Sequence, residues 1–166
     1  MSAVARSEPR PADKAARYAE VAEEIAAVLA GEPNRVARMA TVAGMLHDAF
    51  DSFFWTGFYV VDPDKPAELV VGPYQGTLGC LRIAFGRGVC GTAAATRETQ
   101  IVDDVHAFPG HIACDSRSNS EIVVPVLGGR GELIAVFDVD STAYAAFDET
   151  DAHWLERIMK ASFGSL

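Results

Sequence analysis

The 166-residue sequence has little positive charge and no long apolar run, and both absences exclude whole classes of function. Lys and Arg total 14 against 23 Asp and Glu, so the formal net charge is −9, and no basic cluster occurs. Since basic residues are what bind nucleic acid and anionic membrane surfaces, the sequence predicts neither as a partner. No apolar segment approaches the ~20 residues that a membrane span requires. The N-terminal segment MSAVARSEPRPADK lacks the apolar stretch of a secretory signal, so we expect a soluble, cytoplasmic protein.

Cysteine is scarce as well. The three thiols, Cys80, Cys90 and Cys114, are odd in number and form no C-x₂₋₄-C pair. An odd count without an export signal argues against a structural disulfide framework. The missing paired spacing also argues against a zinc site made of His106, His111 and Cys114. On their own, the thiols can equally be three buried apolar side chains.

The periodicity of the apolar residues predicts one α+β domain over residues 14–163, with a loose tail over 1–13. A central, mostly antiparallel sheet is flanked by an N-terminal helix pair and a C-terminal helix. The helices are predicted over 14–30, from the N-cap Asn34 to about Phe50, over 92–96, and over 147–160. The strands are predicted over 53–61, 68–71, 80–85, 99–103, 121–127 and 132–140. The apolar stripes of the first two helices are Tyr18, Val21, Ile25, Val28 and Leu29, and Val36, Met39, Ala43, Leu46 and Phe50. These stripes are interpreted as a core face or as an extension of a dimer interface.

The last two strands form a predicted hairpin that carries three carboxylates. Asp138 and Asp140 are two residues apart and therefore project from one face of their strand. A four-residue loop over 128–131 places Glu121 opposite Asp138 on that same face. At least one carboxyl of such a group should have a raised pKa. The patch is interpreted as a solvated acidic strand end, as a Ca²⁺ or Mg²⁺ site, or as a pocket that binds an ammonium group and donates a proton.

Two further features are candidates for a binding site. Trp55, Gly57 and Tyr59 share one face of a strand, where the aromatic rings either wall a small apolar ligand or pack into the core. Cys90 lies just before the short third helix, where backbone amides and the helix dipole favour a thiolate. Cys114 lies in a long irregular segment over 104–119, and long loops in compact domains are often functional.

Four segments resemble the free methionine-(R)-sulfoxide reductases, a family of small enzymes built on a GAF domain. They are WTGFYVV at 55–61, GPYQGTLGCLRIAFGRGVCGTAA at 72–94, VDDVHAFPGHIACDSRSNSEIVVPV at 102–126 and LIAVFDVDS at 133–141. The resemblance runs over about residues 14–160 and is most specific in the loop HAFPGHIACD followed by SEIVVP. It implies a single GAF-like domain as the α+β fold.

The same resemblance implies reduction of free methionine-(R)-sulfoxide to methionine, without metal or cofactor. Cys114 matches the nucleophile that becomes a sulfenic acid, a reversible oxidation state of cysteine. Cys80 is the first-choice resolving thiol and Cys90 an auxiliary or alternative one, and thioredoxin reduces the resulting disulfide. A homodimer is also implied.

The family's substrate-binding residues fall on the residues already singled out. Glu121, Asp138 and Asp140 match its acidic pocket, where one carboxylate binds the ammonium group and a protonated one acts as general acid. Trp55 and Tyr59 match the aromatic residues at the methyl end of the substrate. The competing hypotheses are a non-catalytic GAF module that binds a small ligand and a redox sensor that signals through its disulfide.

Overall fold

The computed structural model describes residues 11–111 and 114–166. Within these ranges the chain folds into four α-helices and six β-strands. In chain order they are α1 (Pro11–Leu29), α2 (Arg35–Ala49), β1 (Trp55–Asp62), β2 (Lys65–Gln75), β3 (Arg82–Ala84), α3 (Gly88–Thr96), β4 (Gln100–Val102), β5 (Ser120–Leu127), β6 (Leu133–Ser141) and α4 (Glu149–Phe163). A short 3₁₀ turn, Val105–Ala107, lies between β4 and β5. None of the helices in the described part of the chain combines the length and apolarity needed to cross a membrane.

The six strands form one sheet in the order β3-β2-β1-β6-β5-β4, and every neighbouring pair is antiparallel. Alternation along the strands sends side chains to two different layers. On one face, Phe58 and Phe137 are buried with the apolar sides of α1, α2 and α4. On the other face, Val123 and Val136 pack with α3 and the long loops. The predicted α+β arrangement, with a helix pair before the sheet and a helix after it, is confirmed.

The two N-terminal helices differ from the prediction in detail. Asn34 caps α2 as predicted, since its side chain accepts a hydrogen bond from the Ala37 amide at 2.9 Å. Helix α1 begins at Pro11, three residues earlier than predicted, and proline is well tolerated in a first helical turn. Residues 1–10 of the predicted tail lie outside the described residues. Val28 and Val36 are 61% and 63% exposed, so the interpretation of the stripes as a core face is wrong at these two positions. Val28 lies one position off the buried face of α1, and Val36 precedes the buried part of α2.

The register of the β5–β6 hairpin differs from the prediction by two residues. Glu121 lies opposite Asp140 rather than Asp138. The loop is one residue longer than predicted, and a register shift next to Val126, which pairs with Ala135, adds a second residue on β6. Since a slip of two residues preserves the side-chain alternation, Glu121 still projects from the face that carries both aspartates.

The region between β2 and β4 also folds differently from the prediction. Strand β3 covers only three residues, so Cys80 lies in the segment that precedes it. Helix α3 begins at Gly88, where φ is +61°, and therefore contains Cys90 in its first turn. A side chain at Gly91 would meet the Ala84 carbonyl oxygen, so glycine lets α3 start directly against the end of β3.

Candidate active site

A small cavity of about 50 Å³ lies on the sheet face that carries α3. Its floor is formed by β1, β6 and β5, and its sides by α3 and by the segments that precede β3 and β5. The residues predicted for the site that line it are Trp55, Tyr59, Cys90, Cys114, Glu121, Asp138 and Asp140. The fold therefore brings together an aromatic wall, two of the three cysteines and all three carboxylates.

The aromatic wall is rigid and almost fully buried. The rings of Trp55 and Tyr59 stack with centroids 5.5 Å apart, and the Tyr74 ring also stacks with Trp55 at 4.9 Å. The Trp55 indole N–H donates to the Thr77 carbonyl oxygen at 2.9 Å, which fixes the plane of the ring. Gly57, between the two aromatics on β1, has no room for a side chain, since a Cβ would lie 2.8 Å from the Tyr74 Cα.

The three carboxylates form a cluster between β5 and β6, in which Glu121 and Asp138 are buried and Asp140 is half-buried. Glu121 and Asp138 are 6% and 4% exposed, so the interpretation as a solvated strand end is wrong. Asp138 Oδ1 is buried and has no hydrogen-bond partner among the described residues. Burial raises the pKa of Glu121, Asp138 and Asp140 well above the usual values, and the neighbouring negative charges raise these pKa values further. The cluster therefore retains protons that free carboxylates would release.

Cys90 faces this cluster from α3. Its Sγ lies 3.8 Å from Glu121 Oε1. Burial, followed by the charges of Asp138 and Glu121, raises the pKa of Cys90 well above its usual value. The expectation of a thiolate at Cys90 is therefore wrong, because desolvation and two nearby carboxylates outweigh the dipole of a nine-residue helix.

Cys80 and Cys114 form a disulfide, with their Cα atoms 5.5 Å apart. Cys80 lies between β2 and β3 and is half-buried, whereas Cys114 lies shortly before β5 and is exposed. Cys90 is a free, buried thiol. The pair that the resemblance favoured is the pair that the structure joins, and Cys114 lines the same cavity as the carboxylates.

The structure shows which of the candidate metal ligands lie close enough together to bind a cation. In the described part of the chain, Cys90 Sγ and one oxygen each of Glu121 and Asp138 lie within 4.8 Å of one another and could hold a cation. This set offers fewer oxygen ligands than Ca²⁺ prefers, and its sulfur is a soft ligand. The zinc combination does not assemble, because the Cys114 sulfur is in the disulfide and His106 Nε2 is 2.9 Å from Asn119 Oδ1.

Two residues of the irregular segment over 104–119, His111 and Ser118, also line the cavity, although the sequence did not assign them to the site. His111 Nε2 lies 3.9 Å from Glu121 Oε2, and burial lowers the pKa of His111, so the imidazole is neutral at pH 7. Ser118 makes a side-chain hydrogen bond to Asp140 that favours its charged form. The position of Ser118 depends on the path of an irregular segment, for which the sequence carries no periodic signal.

Comparison with known proteins identifies the class. A family model described as the GAF domain matches residues 37–161. The chain is 42% identical to the free methionine-R-sulfoxide reductase of Escherichia coli over 142 residues, which cover 86% of this chain and 84% of that protein. It is 43% identical to the enzyme of the same name from Saccharomyces cerevisiae over 134 residues, covering 78% and 74% of the two chains.

A comparison with solved structures gives the same family. The X-ray structure of the free methionine-R-sulfoxide reductase of Neisseria meningitidis, in complex with its substrate, matches with a TM-score of 0.86 and 50% identity. The match covers 97% of this chain and 93% of that chain. The chain therefore belongs to the free methionine-R-sulfoxide reductase family of GAF domains.

Proposed function

We propose that the protein reduces free L-methionine-(R)-sulfoxide to L-methionine, using its own cysteines as the two-electron reductant. The observation that carries this proposal is the position of Cys114. It lines one cavity with three carboxylates, of which Glu121 and Asp138 are buried, and it forms a disulfide with Cys80. Reduction of a sulfoxide by a thiol requires a sulfur nucleophile and a nearby proton donor. The names of the related reductases support the same substrate.

In the first step, the reduced thiolate of Cys114 attacks the sulfoxide sulfur. A carboxylic acid of the cluster protonates the sulfoxide oxygen, which is transferred to the Cys114 sulfur. Methionine leaves, and Cys114 becomes a sulfenic acid. The raised pKa values of Glu121, Asp138 and Asp140 support this donor, because the cluster keeps a proton to higher pH than free carboxylates do. General acid catalysis by such a group typically contributes 10²–10⁴-fold.

Selection of the free amino acid depends on charge. The substrate ammonium group needs an ionised carboxylate, and a methionine sulfoxide within a peptide has no such group. Asp140 is the least buried member of the cluster, and the hydrogen bond from Ser118 favours its charged form. We therefore assign the ammonium contact to Asp140 and the proton donor to the Glu121–Asp138 pair. Trp55 and Tyr59 enclose the methyl end through their apolar faces.

In the second step, the Cys80 thiol attacks the sulfenic acid of Cys114. The S–O bond breaks, the S–S bond forms, and the oxygen leaves as water. Cys90 is held at 3.8 Å from Glu121 and outside the disulfide, so we assign the resolving role to Cys80 and leave Cys90 as an auxiliary thiol. The exposure of Cys114 supports recycling by an external dithiol protein, and we propose thioredoxin.

The proposal extends to the oligomeric state and the cellular location of the protein. We propose a cytoplasmic homodimer of one domain that extends from α1 to about residue 163. The exposed Val28 and Val36 of the first two helices support an apolar contact between copies in this region.

A coupled assay tests the proposal. Protein is mixed with thioredoxin, thioredoxin reductase, NADPH and one epimer of free methionine sulfoxide. The proposal predicts NADPH oxidation with the R epimer, none with the S epimer, and a large loss when the amino group of the R epimer is acetylated. Tight binding of another small ligand without turnover would favour a non-catalytic GAF module, and oxidation by peroxide without epimer preference would favour a redox sensor.

A further inference from the structure

Thr77 contacts both segments that carry the disulfide. It lies between β2 and β3, three residues before Cys80, and is half-buried. Its hydroxyl donates to Asp115 Oδ2 at 2.8 Å, and Asp115 directly follows Cys114. The hydrogen bond and the disulfide are therefore two parallel links between the same pair of segments.

Asp115 is a firmly held acceptor for this bond. Its two oxygens accept from the Arg117 amide at 2.9 Å, from Arg117 Nε at 3.0 Å and from Arg117 Nη2 at 2.8 Å. The Arg117 side chain keeps the pKa of Asp115 well below its usual range, so the carboxylate is charged at neutral pH. The Arg117 guanidinium also lies over the Phe54 ring at 4.9 Å, which ties the segment to the start of β1.

The backbone of Thr77 contacts the aromatic wall of the cavity. Its carbonyl oxygen accepts from Trp55 Nε1 at 2.9 Å, and Trp55 forms the aromatic wall. One residue thus holds the wall through its backbone and the Cys114 segment through its side chain. Movement of the Cys114 segment away from the Cys80 segment breaks the side-chain bond and leaves the backbone bond in place.

We infer that Thr77 is a positioning residue for the disulfide step, holding Cys114 next to Cys80 through Asp115. The inference rests on the proposed function. In the step concerned, the Cys114 sulfenic acid and the Cys80 thiol condense to a disulfide and water. The hydrogen bond from Thr77 to the charged Asp115 forms when the Cys80 and Cys114 segments come together. Such a bond raises the effective concentration of one sulfur at the other by about tenfold.

Three variants test this role. Thr77→Val removes the hydroxyl and keeps the shape, whereas Thr77→Ser restores the hydroxyl. The matched control is Thr99→Val, because Thr99 donates to Glu156 Oε1 at 2.6 Å on an exposed surface away from the cavity. Reduced protein is mixed with one equivalent of methionine-(R)-sulfoxide and quenched at intervals, and methionine, trapped sulfenic acid and disulfide are each quantified.

In T77V we expect the native amount of methionine in the first turnover, an accumulated sulfenic acid, and disulfide formation slowed about tenfold. T77S and T99V should form the disulfide at the native rate. A native rate of disulfide formation in T77V would overturn the inference. Absence of methionine from the native protein would instead contradict the proposed function, so the two failures are distinguishable.

An equilibrium measurement gives a second readout that needs no substrate. The Cys80–Cys114 disulfide is titrated against a thiol–disulfide buffer of glutathione. A tenfold weaker disulfide in T77V corresponds to a reduction potential about 30 mV higher than in the native protein. A purely structural effect on both redox states would leave the potential unchanged, and that result would also overturn the inference.

Discussion

Replacing Asp138 with Asn should stabilise the protein at neutral pH while it lowers activity. Asp138 is 4% exposed, and its Oδ1 has no hydrogen-bond partner among the described residues. Burial and the charge of Asp140 raise the pKa of Asp138, so the folded protein retains a proton that the unfolded chain releases. The native protein therefore has its full stability below the ordinary carboxyl pKa of about 3.9 and loses stability as the pH rises towards the raised value.

The size of the effect has an upper limit. One retained proton reduces the free energy of unfolding by at most about 1.4 kcal/mol per pH unit, and by at most about 4 kcal/mol at pH 7. Asn has nearly the same shape as the protonated acid but does not titrate, so D138N escapes this loss. We expect no gain over the native protein at pH 4 and a gain of about 1–4 kcal/mol at pH 7. Each kcal/mol raises the Tm of a domain of this length by about 2–4 °C.

Urea unfolding of the reduced proteins at half-unit steps between pH 4 and pH 8 measures this difference. The control is Asp103→Asn, an exposed aspartate after β4, which should follow the native curve throughout. A difference between D138N and the native protein that does not change with pH would refute the reasoning, as would a less stable D138N at pH 8. Turnover of D138N should fall, since Asp138 belongs to the proposed proton donor.

Three further substitutions probe the cysteines and the core. Cys114→Ser should abolish turnover yet leave methionine binding intact by calorimetry, because it removes only the nucleophilic sulfur; retained multiple turnover would contradict its role. Cys80→Ser should release about one methionine per protomer and then stall, and steady turnover of a variant lacking both Cys80 and Cys90 would exclude an internal disulfide. Tyr18→Phe loses the buried 2.7 Å hydrogen bond to Asp151 Oδ1, so thermal unfolding should show a loss of about 2 kcal/mol, with unchanged turnover because Tyr18 lies on the other face of the sheet. An unchanged Tm in Y18F would show that this bond adds nothing to stability.

Much of the fold could be predicted from the sequence because local patterns determine it. The apolar periodicity predicted the helices at both ends of the sheet, and Asn34 predicted the start of α2. Alternation along β6 predicted that Asp138 and Asp140 project from one face. The hairpin register was wrong, because loop length and an irregularity beside Val126 depend on tertiary packing.

The environment of the site residues could not be predicted in the same way. The sequence placed Cys90 at a helix start, but its raised pKa depends on β5 and β6 packing against α3. Ser118 and Thr77 lie in irregular segments, and their partners come from other parts of the chain. The Cys80–Cys114 pairing could be inferred only from family resemblance, since the spacing of three cysteines does not select a pair.

The most direct measurement is the amount of methionine that the reduced protein releases without any external reductant. Reduced, desalted protein is mixed with excess free methionine-(R)-sulfoxide, and both methionine and the Cys80–Cys114 disulfide are quantified. Two-electron reduction by the protein's own thiols predicts about one methionine and one disulfide per protomer, with further release only when thioredoxin is added. Release of no methionine, or of many equivalents without reductant, would contradict it.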